Sequence, residues 1–204
     1  MAKRPLRLFG LDRSGPPPPE TQAGAPLRPW TIPNAIGFVR LALIPAFLIV
    51  ALSSAAGTGA AEASIFGVIG WGDYADGISA RITGQYSRLG ALMDPVTDRL
   101  LVIAGVVVTW HFQLLPRWAL AVLTVRELLM LIVGRYMLSR GVELRINWPG
   151  RLAVAPVMGS FFFAMTTLGK FAEVLLYVGL ALALLATVLY AQTGTRQLRA
   201  LADP

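Results

Sequence analysis

Six apolar stretches, at about 33–53, 61–82, 91–111, 116–138, 151–169 and 171–192, take up most of the chain and limit its folding more than any other feature. Each is long enough to cross a hydrocarbon layer of ~30 Å at ~1.5 Å of rise per helical residue. The predicted fold is therefore all-α, a polytopic membrane protein with six transmembrane helices. Composition agrees: of 204 residues only 14% are charged and 55% are hydrophobic, whereas a soluble domain carries roughly a quarter charged residues.

The basic residues predict the orientation. With both termini cytosolic, the inner side receives Lys3, Arg4, Arg7, Arg13 and Arg28, then Arg81 and Arg88. It also receives Arg135, Arg140, Arg145 and Arg151, and finally Arg196 and Arg199, which leaves Arg117 and Lys170 outside. That bias is the positive-inside pattern for six crossings. The formal net charge of +7 would suggest a nucleic-acid partner in a soluble protein. Here it follows topology, and no nucleic acid is expected. There is no cysteine, so disulfides and thiolate metal sites are excluded. Residues 1–30 are basic and rich in proline and glycine, and read as a disordered cytosolic tail. A membrane domain over 31–194 and a short cytosolic tail over 195–204 complete the predicted organisation.

Against this apolar background, "GDYADGISARITGQYSRLGALMDPVTDRL" at 72–100 carries four aspartates. From the inner end of the second span, Asp76 lies about 8 Å deep and Asp73 about 12 Å. From the inner start of the third, Asp94 lies about 6 Å and Asp98 about 12 Å deep. Spacings of three and four residues place each pair on one helical face. Four carboxylates at one depth need counter-charge. Hard divalent cations with oxygen ligands supply it, and Mg²⁺ prefers one or two carboxylates together with substrate phosphates. Two such ions can clamp the attacking and leaving oxygens of a phosphoryl centre. Small residues nearby (Gly77, Ser79, Ala80, Gly84, Gly90 and Ala91) suit a phosphate approaching the backbone, or close helix packing.

The run Asp73-x-x-Asp76-Gly77-x-x-Ala80-Arg81, then Gly90-x-x-x-Asp94-x-x-x-Asp98, resembles the signature of the CDP-alcohol phosphatidyltransferase family. The resemblance covers about residues 31–192. "TIPNAIGFVRLALIP" looks like the first helix of the branch acting on glycerol-type acceptors, and "VREL" in the fourth span is similar to phosphatidylglycerophosphate synthases. The resemblance implies a six-helix, commonly dimeric membrane enzyme with its active site facing the cytosol. Such an enzyme moves a phosphatidyl group from CDP-diacylglycerol to an alcohol and releases CMP, using Mg²⁺ or Mn²⁺, two ions in all. It implies Asp73, Asp76 and Asp94 as ligands of the metal pair, with Asp98 sharing a metal and acting as base. Asp73, Gly77, Ala80, Arg81 and Gly90 would contact the CDP moiety.

The resemblance ranks glycerol 3-phosphate first as acceptor, with phosphatidylglycerol, the acceptor of a CMP-forming cardiolipin synthase, as the alternative. One departure bears on that choice. "PGRLAVAP" at 149–156 has Arg151 where the glycerophosphate branch tends to show lysine and then a threonine a few residues on, and no threonine follows nearby. Arg135, Arg140 and Arg151 are candidates for an acceptor phosphate, against the alternative that they only enforce topology. Arg40 is expected to reach the metal site or the donor phosphate, or to pair with a carboxylate. Asn34 is expected to cap the first helix or hold the nucleotide. Arg126 and Glu127 point about 100° apart on a helix, which predicts partners on other helices rather than each other. A cation transporter would also use intramembrane aspartates, but spread over depth.

Overall fold

The computed structural model describes residues 18–22, 24–139 and 148–202. The described residues are all-α, with six α-helices among them: α1 Ile32–Ser53, α2 Ala60–Thr83, α3 Arg88–His111, α4 Arg117–Ser139, α5 Trp148–Ala164 and α6 Gly169–Ala202. Most of the predicted tail lies outside the described residues; Pro19–Thr21 forms a single 3₁₀ turn. By length and composition two helices can cross a bilayer, at Ile32–Ser53 and Gly169–Thr195, and Gly150–Ala164 is a shorter apolar helix. α2, α3 and α4 carry ionisable side chains within their lengths.

Four helix ends differ from the apolar windows by three residues or more: α3 and α5 each start three residues early, α5 ends early, and α6 runs on to Ala202, through most of the segment expected as a tail. α3 starts at Arg88 rather than near residue 91 because Ser87 caps it: the Ser87 Oγ accepts from Gly90 N–H at 3.0 Å. α5 ends at Ala164 rather than near 169. There Thr166 folds back to donate to the Phe163 carbonyl at 2.7 Å, and its Oγ1 accepts from Leu168 N–H at 3.2 Å. The turn joining α2 to α3 places Gly84 at φ +67°, a left-handed conformation that glycine adopts without steric cost just past a helix end.

The described residues form two compact units, one within residues 1–55 and 60–105, the other within residues 56–59 and 106–204. In the first, α1 packs along α2. The buried stripe of α1 runs Asn34, Gly37, Arg40, Ile44, Phe47 and Ala51, at the three- and four-residue steps of one helical face. Phe47 meets Phe66 of α2 with ring centroids 5.4 Å apart. Gly37 admits the Met93 side chain of α3, whose Cε would lie 2.3 Å from a Cβ there.

In the second unit α6 packs against α5 and α4, burying Ala172, Leu176, Leu180 and Ala183. Gly179 lets α5 approach closely, since a Cβ would sit 2.6 Å from Val157 Cγ2 and 3.0 Å from its backbone nitrogen. Arg126 and Glu127 do pair with each other, contrary to the helical-angle argument, because long side chains can swing back along the helix surface. Arg126 Nε also donates to Thr187 Oγ1 of α6 at 2.9 Å.

Candidate functional site

The acidic residues lie in the first unit, and the cation that gathers them comes from α1. Arg40 donates through one terminal nitrogen to Asp76 Oδ2 at 2.8 Å and to Asp73 Oδ1 at 3.3 Å. Its other terminal nitrogen donates to Asp98 Oδ1 at 2.9 Å. The acid-bearing faces of α2 and α3 thus converge on one guanidinium. Of the alternatives for Arg40, the structure contains the pairing with carboxylates. The Arg40 side chain is 2% exposed and that of Asp76 8%, while those of Asp73 and Asp98 are 50% and 46% exposed. Two of the carboxylates therefore remain reachable.

Asp94 lines an adjoining cavity of about 180 Å³ together with Asp76. Gly77, Ala80 and Arg81 supply its α2 wall and Gly90 its α3 wall. Four residues singled out for the CDP moiety therefore share one cavity with two of the aspartates. Asp73, the fifth, is not among the lining residues.

Asn34 also lines the cavity, but it does not cap α1. Thr31 does, its Oγ1 accepting from Asn34 N–H at 3.3 Å. The buried Asn34 amide instead ties three segments together. Its Nδ2 donates to the Arg28 carbonyl at 2.9 Å and the Pro29 carbonyl at 3.1 Å, and its Oδ1 accepts from Ser87 Oγ at 2.8 Å. This explains part of Gly90: a Cβ there would lie 2.8 Å from Asn34 Oδ1 and 3.2 Å from Ser87 Oγ.

Thr21, Gln85, Tyr86 and Ser87 line the cavity as well and were not singled out from the sequence. Only Ser87 carried a signal, as a serine three residues before the first small residue of α3. Gln85 holds the start of α1, its Oε1 accepting from Ile32 N–H at 2.9 Å. The acceptor candidates Arg135 and Arg151 are exposed in the second unit, and Arg140 lies outside the described residues.

The donor set is all oxygen, which fits a hard divalent cation rather than a soft one. Among the described residues, however, no group of three or more Asp, Glu, His or Cys side chains is gathered as a ready metal cage. The same carboxylates are organised around a guanidinium, which stands in as the cation. Each of the three in contact with it does so through one oxygen.

Comparison with known proteins is consistent with this geometry. A family model described as CDP-alcohol phosphatidyltransferase matches residues 30–188. A provisionally named cardiolipin synthase of Mycobacterium tuberculosis is 39% identical over 136 residues, 66% of this chain and 64% of the relative. A CMP-forming cardiolipin synthase of Streptomyces coelicolor is 34% identical over 139 residues, with the same shares. The chain thus spans just under two thirds of the length of these two relatives. The CDP-diacylglycerol–glycerol-3-phosphate 3-phosphatidyltransferase of Escherichia coli is 31% identical over 167 residues, 78% of this chain and 88% of the relative.

Proposed function

Because the chain belongs to the CDP-alcohol phosphatidyltransferase family, we propose that it transfers a phosphatidyl group from CDP-diacylglycerol to phosphatidylglycerol, releasing CMP. The observation that carries the transfer is the meeting of Asp76, Gly77, Ala80, Arg81, Gly90 and Asp94 at one cavity. The acceptor rests on relatives. Glycerol 3-phosphate came first from the sequence, but the matches of higher identity are named for cardiolipin synthesis, and that reverses the order. Glycerol 3-phosphate stays as second reading, favoured by the longer match to the glycerophosphate enzyme and by "VREL" at 125–128.

The protein acts as a membrane enzyme with six spans and both termini in the cytosol, and as a homodimer. The six spans and their orientation rest on the apolar windows and the inner bias of arginine in the sequence; membrane insertion is supported by the two spanning-length apolar helices. Large exposed apolar side chains such as Ile49, Trp71, Val125, Ile132 and Val188 add to that support.

In the reaction the donor's diphosphate lies against the Gly77–Arg81 wall, with the acyl chains in lipid. Asp98 takes the proton of the acceptor hydroxyl, whose oxygen forms a bond to the phosphorus bearing diacylglycerol. The bond from that phosphorus to the CMP oxygen breaks, and CMP leaves. Asp73, Asp76, Asp94 and Asp98 would hold two Mg²⁺ or Mn²⁺ ions, which when bound neutralise charge on the diphosphate. Arg81 lies at the cavity to hold a phosphate oxygen. Positioning and preorganised charge do most of the work in such transfers.

The test is CMP release by purified protein with CDP-diacylglycerol and Mg²⁺ or Mn²⁺, against phosphatidylglycerol, glycerol 3-phosphate, inositol phosphate and serine. Release with phosphatidylglycerol alone is expected, and Asp98→Asn should abolish it. Release with glycerol 3-phosphate alone would select the second reading, and near-normal turnover in Asp98→Asn would remove the base assignment.

A further inference from the structure

We propose that Arg40, seated over Gly72, is a positioning residue for the acidic site. It is a fixed guanidinium brace from α1 that sets how Asp73, Asp76 and Asp98 present their second oxygens to a divalent cation. This rests on the reading that these carboxylates hold such a cation.

Arg40 is also held by contacts other than the carboxylates, at its Nε and along its aliphatic stem. Its Nε donates to the Ile69 carbonyl of α2 at 3.0 Å. Its aliphatic part crosses α2 at Gly72, where a Cβ would lie 2.6 Å from Arg40 Cδ and 2.7 Å from Cγ. Gly72 therefore has a reason to be glycine that the motif beginning at Asp73 does not contain. With the stem fixed, the terminal nitrogens reach Asp73 Oδ1, Asp76 Oδ2 and Asp98 Oδ1. One residue of α1 thus grips one oxygen on each of three carboxylates from two helices.

A carboxylate held by one oxygen loses its freedom to rotate, and its other oxygen is aimed. Hydrogen bonds of this kind orient metal ligands, and removing them typically weakens metal binding about 10–100-fold. Arginine suits the role because its planar fork serves several acceptors at fixed angles, while lysine offers a point charge on a flexible stem. The same positive charge also lowers repulsion among the aspartates before any ion arrives.

The experiment is Mn²⁺ binding to the full-length protein in detergent, followed by the electron paramagnetic resonance of free Mn²⁺. Wild type is compared with Arg40→Lys, Arg40→Gln and Gly72→Ala, with helical content and thermal unfolding in EDTA as fold controls. All three variants are expected to bind Mn²⁺ about 10–100-fold more weakly, with lysine giving no recovery over glutamine. Gly72→Ala retains every charge and displaces only the stem. Wild-type affinity in Arg40→Lys would overturn the brace in favour of charge alone. Tighter binding in either Arg40 variant would overturn it in favour of a competing cation. If the Arg40 variants do not fold, unchanged affinity in Gly72→Ala overturns it. No Mn²⁺ binding by wild type would remove the metal reading and the brace together, whereas wild-type binding that the variants share would remove the brace alone.

Discussion

Replacing Gly77 by alanine should separate stability from function in opposite directions. Gly77 lies inside α2 and lines the cavity. A Cβ there would meet only the far end of the Arg81 side chain, at 3.4 Å from one terminal nitrogen and 3.5 Å from the other. Those are ordinary contacts with a flexible partner, so steric strain adds little. Glycine within a helix is worth about 0.5–1 kcal/mol less than alanine, and the variant should gain roughly that amount. The added methyl, however, stands where the donor's diphosphate would approach the backbone. A displacement of about 1 Å from the reactive geometry can cost ~100-fold in rate, so kcat/KM for CDP-diacylglycerol should fall about 10–100-fold. Thermal unfolding and CMP release, measured on the same preparation in the same detergent, test both halves. A variant that is less stable than wild type would refute the packing argument. A variant that is stabilised yet turns over normally would move the nucleotide away from this wall.

Three further substitutions read the packing elsewhere. Gly90→Ala should destabilise by about 1–3 kcal/mol, because its methyl breaks the Asn34–Ser87 hydrogen bond and leaves buried polar groups unsatisfied; unfolding at wild-type temperature would show that the network can shift. Gly179→Ala should cost about 1–3 kcal/mol, since Val157 meets the new Cβ partly through its backbone and cannot swing aside; a neutral result in thermal unfolding would contradict the close approach of α5 and α6. Thr187→Val should cost only about 0.6 kcal/mol, the usual worth of a hydrogen bond between membrane helices, because Arg126 keeps Glu127; a loss several times larger would mean that Thr187 is the main anchor of Arg126.

Helix number and most helix boundaries were legible because long apolar windows dominate this chain, and α1, α2 and α4 fall within a residue or so of the expected limits. The spacing of Asp73, Asp76, Gly77, Ala80, Arg81, Gly90 and Asp94 was legible for a related reason: helical periodicity converts sequence spacing into a shared face. What escaped was set by side-chain reach and local hydrogen bonds. The early start of α3 depends on one serine hydroxyl. The pairing of Arg126 with Glu127 depends on flexible stems rather than on the directions of their Cβ atoms. Asn34 looked like a cap because it stands near a helix start, yet Thr31 already fills that role. The amide was thereby left to join the segment before α1 to the turn before α3.

The signature on α2 and α3 is incomplete as a physical specification, and α1 supplies what is missing. Two helices presenting like-charged faces to each other have no electrostatic reason to approach in one register. α1 provides two polar contacts on its buried stripe, Asn34 and Arg40, six residues and so about 9 Å apart along the axis. The first fixes the turn that launches α3, through Ser87. The second donates hydrogen bonds to Asp73, Asp76 and Asp98. With the α2–α3 turn held at one end and the carboxylates at the other, the register of the two acidic faces is determined by a helix that carries no acid at all. A motif confined to residues 73–98 can therefore announce the chemistry, while the geometry that chemistry needs is encoded some thirty to sixty residues earlier.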